Sequence, residues 1–66
     1  MYRFIKYIAV IPAYNEAEHI AQVVKLTRSY TPVLVVDDGS TDNTAQLAEA
    51  AGAEVLRQFP NQGKGK

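Results

Sequence analysis

The chain has 66 residues, of which 47% are apolar, seven are basic, seven are acidic and none is cysteine. A typical domain has about 100–150 residues, so residues 1–66 form at most one small domain or a part of a larger one. The lack of cysteine excludes disulfides and Cys-based zinc sites, and the single His19 excludes a multi-histidine metal site. The zero net charge gives no overall field that would attract nucleic acid or a membrane.

The charges are nevertheless unevenly distributed along the chain. Residues 1–7 carry +2, residues 8–56 carry −5 and residues 57–66 carry +3. No apolar run approaches the roughly 18 residues of a membrane span, and residues 8–11 are too short for the core of a signal peptide. We therefore expect a cytoplasmic protein, which could associate with a membrane only through regions beyond this sequence.

The first two predicted elements are a strand and a helix. Residues 7–11 form an apolar run that ends at Pro12, which predicts a buried strand. Asn15 is a suitable N-cap residue, and apolar residues then recur with the period of a helix. The pattern predicts a helix over residues 16–29, with His19 on its solvent side.

Three further elements follow. Residues 33–36 are continuously apolar, which predicts a strand buried on both faces, as in a parallel sheet. Residues 42–51 are predicted to form a second helix, which Gly52 ends. Residues 53–58 predict a weaker third strand and residues 59–66 a loop. The order β-α-β-α-β predicts right-handed crossovers and a parallel sheet with the strand order 3-2-1.

Ligands of such sheets bind beyond the carboxyl ends of the strands. The chemically notable residues of this chain lie there, in residues 12–16, 37–42 and 61–66. Residues 12–16 contain no glycine, so the dinucleotide-binding G-x-G-x-x-G is absent. Residues 63–66 lack the upstream glycine and the hydroxyl of a P-loop, and the G-x-S-x-G of serine hydrolases does not occur.

The candidate binding residues are an aromatic residue and several acids. Tyr14 offers a ring on which a nucleobase can stack, although it also fits an ordinary surface loop. Glu16 offers a carboxylate for ribose hydroxyls or base N–H groups, although it also fits the first turn of a helix. Asp37 and Asp38 repel each other and need partners. Adjacent strand residues point in opposite directions, so one acid can cap the turn through an N–H of Ser40 or Thr41 while the other faces a cleft.

The acidic middle of the chain disfavours a phosphate. A divalent cation between carboxylates and a diphosphate would turn this repulsion into attraction. Lys64 and Lys66 could also approach phosphates, although a basic terminus needs no such role.

Three motifs resemble the opening of a family 2 glycosyltransferase of the GT-A fold. These are residues 8–16 (IAVIPAYNE), residues 35–44 (VVDDGSTDNT) and residues 61–66 (NQGKGK), in the order and spacing of that family. The likeness covers about residues 7–66 and is closest in style to the polyprenyl- or dolichol-phosphate sugar transferases. It implies a three-layer, Rossmann-like parallel unit, the nucleotide-binding half of the GT-A fold.

The resemblance implies transfer of a sugar from a nucleoside-diphosphate sugar to a glycan or a lipid phosphate, with Mg²⁺ or Mn²⁺ on the diphosphate. The family's donor contacts fall on Pro12, Tyr14, Glu16, Val36, Asp37 and Asp38. In this mapping Tyr14 packs on the base and Asp38 binds the base or ribose. Asp37 lies next to Asp38 and also fits a structural role. The family's metal-binding D-x-D and its catalytic base have no counterpart in this sequence, so we expect a fragment of a longer enzyme.

Two other classes remain open at this stage. One is a non-catalytic module that binds a nucleoside diphosphate or folds only with a partner. The other is a response regulator with Asp37 and Asp38 as its acidic pair, which would also need an acidic pair after the first strand; only Glu16 lies there.

Overall fold

The structure is a computed structural model that describes residues 7–58. Five elements alternate along the chain: β1 (Ala9–Ala13), α1 (Ile20–Arg28), β2 (Val33–Asp37), α2 (Thr44–Ala50) and β3 (Glu54–Arg57). The three strands are parallel and lie in the order β1-β2-β3. The predicted β-α-β-α-β fold and its strand order are therefore confirmed. The sequence block at residues 61–66 lies outside the described residues.

Both helices cover the same face of the sheet. Ile20 and Val24 of α1 and Ala48 of α2 share one apolar cluster with Val33 and Val35 of β2. Two right-handed crossovers that step in the same direction across a sheet place both helices on one side. Residues 7–58 consequently form two layers, not the expected three.

The opposite face of the sheet is uncovered within the described residues. Leu34 and Val36 are only half-buried, and Val10 and Leu56 on the neighbouring strands are 56% and 48% exposed. The expectation that both faces of β2 are buried is therefore met on the helix side alone.

The outer edge of β1 contains a proline. The N–H of Ala9 donates to the carbonyl of Pro32 (2.9 Å), and the carbonyl of Ala13 accepts from the N–H of Asp38 (2.9 Å), so both groups point towards β2. Backbone groups alternate along a strand, so those of Val10 and Pro12 point away from β2. Pro12 lies within the strand, not after it as predicted, because its missing N–H falls on the side of β1 that carries no ladder bond within residues 7–58.

The first helix begins later than the sequence predicts. It starts at Ile20, and the carbonyl of Glu16 accepts hydrogen bonds from the N–H groups of His19 (2.9 Å) and Ile20 (2.8 Å) in the preceding turn. Asn15 is not the N-cap: its φ is +53°, and its side chain bonds elsewhere. A residue in the left-handed region interrupts the chain direction before the helix can start.

The second helix and the third strand are confirmed with shorter bounds than predicted, and β2 is one residue longer than predicted. Gly52 follows α2 with a φ of +110°, a backbone conformation that L side chains rarely adopt, so this position favours glycine. Neither helix in residues 7–58 is long and apolar enough to cross a bilayer.

Candidate functional site

The carboxyl ends of β1 and β2 lie side by side. Ala13 pairs with Asp37, and the N–H of Asp38 continues the ladder to the carbonyl of Ala13. The two segments that follow these strands are therefore adjacent, and we call residues 14–19 the first loop and residues 38–43 the second loop. The N–H of Gln58 donates to the carbonyl of Asp37 (2.7 Å), which brings the end of β3 to the same edge.

The two adjacent aspartates have different roles in the structure. Asp37 is 4% exposed and lies on the helix face of the sheet, in register with Ala13. Its Oδ1 accepts hydrogen bonds from the N–H (3.2 Å) and from the hydroxyl of Ser40. Asp37 is thus the acid that caps the turn, as one of the pair was expected to do. The side chain of Asp38 is exposed, so its carboxylate is the one open to a ligand.

The other predicted contacts fall into two groups. Tyr14 is 54% exposed and Glu16 is exposed, and both lie in the first loop. Pro12 and Val36 are register partners on the uncovered side of the sheet, immediately before the two loops. The structure therefore brings Tyr14, Glu16 and Asp38 to one edge, with an apolar pair beside them.

A network of polar bonds joins the two loops, and the sequence patterns do not predict it. Asn15 donates its N–H to Oγ of Ser40 (2.8 Å), and its Oδ1 accepts from the N–H (2.8 Å) and the hydroxyl (3.3 Å) of Thr41. Oγ1 of the fully buried Thr44 accepts from the N–H of Glu16 (2.8 Å). These bonds span 25 to 28 residues of sequence, so they fix the distance between the loops.

Asp42 completes this network at the entrance to α2. One oxygen accepts from the N–H (2.9 Å) and the hydroxyl of Thr44, and the other accepts from the N–H of Ala17 (3.2 Å). The hydroxyl of Thr44 is the main reason that the pKa of Asp42 lies below its ordinary value of 3.8, and the N–H groups of Thr44 and Ala17 act in the same direction. The predicted helix over residues 42–51 places Asp42 in its first turn. In the structure the helix starts at Thr44, so Asp42 precedes it.

The backbone amides of the first loop are already occupied. The N–H groups of Asn15, Glu16 and Ala17 donate to Ser40, Thr44 and Asp42, respectively. Consecutive free N–H groups can cradle a phosphate, but these three have oxygen partners from within the chain. The two loops therefore offer a ring and carboxylates to a ligand, and they offer no anion cradle at residues 15–17.

The described residues do not fit a divalent cation. Within residues 7–58, no group of three or more His, Cys, Asp or Glu residues could hold a metal ion. Oδ1 of the buried Asp37 and both oxygens of Asp42 accept the bonds above, whereas the carboxylate of Asp38 in the second loop is exposed. We therefore derive no step through a metal.

Two of the clefts in the described part of the chain border the sheet. One, of about 100 Å³, lies beside β1 and is lined by Ile11, Pro12, Glu16, His19, Ile20 and Val23. The other, of about 530 Å³, includes Arg28, Pro32 and Gly52 and lies at the amino ends of the strands. Ligands of parallel sheets bind at the carboxyl ends, so the smaller cleft, which contains two predicted contacts, adjoins the candidate site.

Open parallel α/β sheets bind their ligands beyond the carboxyl ends of the strands, which is where the exposed ring of Tyr14 and the open carboxylate of Asp38 lie. Residues 8–66 match the family model described as glycosyl transferase family 2, so the chain belongs to that family.

Curated relatives agree with this assignment. The chain is 53% identical over 57 residues to glycosyltransferase AglJ of Haloferax volcanii, and this match covers 83% of the chain and 18% of AglJ. It is 43% identical over 68 residues to protein RfbJ of Shigella flexneri (98% of the chain and 52% of RfbJ). It is 42% identical over 52 residues to an undecaprenyl-phosphate 4-deoxy-4-formamido-L-arabinose transferase of Pseudomonas fluorescens (68% of the chain and 15% of that enzyme). The chain thus spans about half or less of the length of these relatives.

Proposed function

We propose that this chain binds the nucleoside part of a nucleoside-diphosphate sugar donor within a glycosyltransferase. The observation that carries this proposal is the contrast between the two aspartates at the end of β2. Asp37 is buried and satisfied by Ser40, whereas Asp38 presents an open carboxylate at the edge where Tyr14 is also exposed. A ring and a carboxylate on adjacent loops suit a base and a ribose.

Each predicted contact has a distinct physical role in this proposal. The ring of Tyr14 stacks on the base, an interaction worth about 1–3 kcal/mol per base in single-strand binders. The carboxylates of Asp38 and Glu16 accept hydrogen bonds from ribose hydroxyls or base N–H groups. Pro12 and Val36 provide apolar surface beside the base. These residues bind and orient the donor, and none of them is proposed to be catalytic.

The acceptor and the cofactor belong to the same proposal. The family as a whole implies nucleotide-sugar donors and glycan or lipid-phosphate acceptors, and one relative is named as an undecaprenyl-phosphate transferase. We propose an acceptor such as a polyprenyl phosphate or a glycan, and a cytoplasmic location. Mg²⁺ or Mn²⁺ would neutralise the diphosphate, held by residues other than those described here.

The uncovered apolar face of the sheet supports a second candidate function. Val10 and Leu56 are about half-exposed on this face, and apolar surface of this kind favours association. In this alternative, the chain is a non-catalytic module that folds fully only with a partner. A helical mean residue ellipticity that grows stronger with protein concentration supports the alternative. A mean residue ellipticity that does not depend on concentration opposes it.

Titration of the chain with UDP and with GDP, each with and without Mn²⁺, tests the proposed function. We expect weak binding of at least one nucleotide without Mn²⁺, because residues 7–58 supply no metal cluster. Resonances of Tyr14 and of the second loop should shift on binding. The absence of binding by either nucleotide in all four conditions would contradict the proposal.

A further inference from the structure

Asn15 lies between two of the proposed donor contacts, in a conformation that few residues adopt. Its φ of +53° lies in the left-handed region, which costs most L-residues about 1–2 kcal/mol and which asparagine tolerates better than most. The chain direction changes at Asn15, with Tyr14 on one side and Glu16 on the other.

The polar bonds of Asn15 all reach the second loop. Its N–H donates to Oγ of Ser40, and its Oδ1 accepts from the N–H of Thr41. Ser40 in turn donates to Oδ1 of the buried Asp37, so Asn15 is linked through one hydroxyl to the carboxyl end of β2. In sequence, Asp38 lies between Asp37 and Ser40, the two residues that this hydrogen bond joins.

Burial does little to fix the first loop. Tyr14, Asn15 and Glu16 are all exposed, so few apolar contacts hold them. The position of the loop relative to Asp38 therefore depends on hydrogen bonds that cross from one loop to the other. The hydrogen bonds of Asn15 to Ser40 and Thr41 are the ones nearest in sequence to Tyr14.

We infer that Asn15 is a positioning residue of the donor site: its side-chain amide sets the distance between Tyr14 and Asp38 across which a nucleoside is held. This inference rests on the proposed function. Asn15 acts through its neighbours and does not itself contact the ligand. The amide oxygen is the essential atom, because it alone accepts from both donors of Thr41.

Three substitutions separate the amide from the backbone conformation. Asn15→Gly keeps the left-handed backbone accessible and removes the acceptor, Asn15→Ala removes both, and Asn15→Asp keeps both. Gln46→Ala is the control, since Gln46 is an exposed amide side chain on α2, outside both loops.

Binding of UDP and GDP to the 66-residue chain is the primary measurement. We expect Kd to rise about five- to thirty-fold for Asn15→Gly, the factor for one or two hydrogen bonds, and further for Asn15→Ala. Gln46→Ala should match the parent chain. Asn15→Asp should restore binding to within about threefold of the parent. That comparison uses uridine and guanosine, because the added charge would repel a diphosphate.

A double substitution distinguishes positioning from a general loss of structure. If Asn15 acts by placing Tyr14 against Asp38, the effects of Asn15→Gly and Asp38→Ala should be less than multiplicative when combined. Effects that multiply fully would overturn the inference. Hydrogen exchange at the Thr41 amide gives a readout that needs no ligand, and it should quicken in Asn15→Gly and recover in Asn15→Asp.

The two proposals fail in different ways. If the parent chain binds a nucleotide and Asn15→Gly binds it equally well, the inference is overturned and the proposed function stands. If the parent chain binds neither nucleotide, the proposed function fails and the inference fails with it. If Asn15→Gly is unfolded, Thr41→Val removes the hydroxyl that donates to Oδ1 of Asn15 and should also weaken binding, by a smaller factor; unchanged binding in a folded Thr41→Val variant would overturn the inference.

Discussion

Oγ1 of Thr44 accepts a hydrogen bond from the backbone N–H of Glu16 at 2.8 Å, although 28 residues separate them in sequence. Thr44 is fully buried and also donates its hydroxyl hydrogen to Asp42. One hydroxyl therefore joins the start of α2 to the first loop and to the acid that precedes the helix. The candidate site depends on this buried contact as well as on its exposed residues.

Replacement of Thr44 by valine should destabilise the chain. Valine has nearly the same shape but cannot accept from Glu16 or donate to Asp42, so the free energy of unfolding should fall by about 1–3 kcal/mol. Thr44→Ser keeps the hydroxyl and loses one methyl group, so its cost should be smaller. Urea unfolding followed by circular dichroism measures both. A loss of stability in Thr44→Ser with none in Thr44→Val would show that the methyl group, and not the hydroxyl, stabilises this position.

Acid should weaken the connection between the two loops. Hydrogen bonds from Thr44 hold the pKa of Asp42 below its ordinary value, so folding favours the carboxylate form. The stabilising contribution of Asp42 is thus fully present above the ordinary pKa of 3.8, which applies to the unfolded chain, and is lost as the pH falls through the folded-state pKa.

Unfolding measured between pH 7 and pH 2 should show this contribution. Asp42→Asn should be less stable than the parent at pH 7 and should lose less stability on acidification, so that the two curves converge at low pH. Asn43→Ala changes an exposed neighbour and should run parallel to the parent. A constant difference between Asp42→Asn and the parent at all pH values would contradict the assignment.

Removal of the open carboxylate of Asp38 should weaken nucleotide binding without a loss of stability. Hydrogen bonds to a charged group contribute about 1.5–3 kcal/mol, so Asp38→Ala should raise Kd for the preferred nucleotide about tenfold or more. Calorimetry or NMR titration measures the binding, and urea unfolding measures the stability. Glu49→Ala removes an exposed acid on α2, away from the site, and should leave binding unchanged. Equal Kd values for Asp38→Ala and the parent would reject Asp38 as a contact.

The two faces of the sheet should respond differently to the same substitution. Val35 has no exposed surface under the helices, so Val35→Ala should cost about 2–3 kcal/mol through lost burial and the cavity that remains. Val10 is 56% exposed on the uncovered face, so Val10→Ala should change stability by about 0.5 kcal/mol or less. Thermal unfolding compares the two. A similar loss at Val10 would indicate that this face is covered in solution.

Sequence patterns predict the elements well because their causes are local. The apolar runs before Pro12 and before Asp37 specify strands, and helical periodicity places a helix between them. The parallel order follows from the length of these connections. The polar bonds between the loops do not follow from local patterns, because Asn15 and Thr41 meet only after β1 and β2 have paired. The same asparagine is a good N-cap in isolation, and that local interpretation was wrong.

The division of roles between Asp37 and Asp38 could be predicted only in part. Strand alternation indicates that the pair points in two directions. Which acid points inwards depends on the register with Ala13, and that register needs the folded sheet. Coverage of β2 also depends on more than its own residues, because both crossovers place their helices on one side.

Pro12 in the edge strand β1 limits the pairing of this strand with a strand of another chain. Within residues 7–58 the outer edge of β1 is unpaired, and an unpaired edge is a template on which further chains can pair through their backbones, the first step of fibril growth. Pro12 offers a backbone carbonyl but no N–H donor to a strand that pairs with β1, so a continuous ladder of hydrogen bonds cannot form there. The residue proposed to face the donor base thus also lowers the tendency of the unit to aggregate.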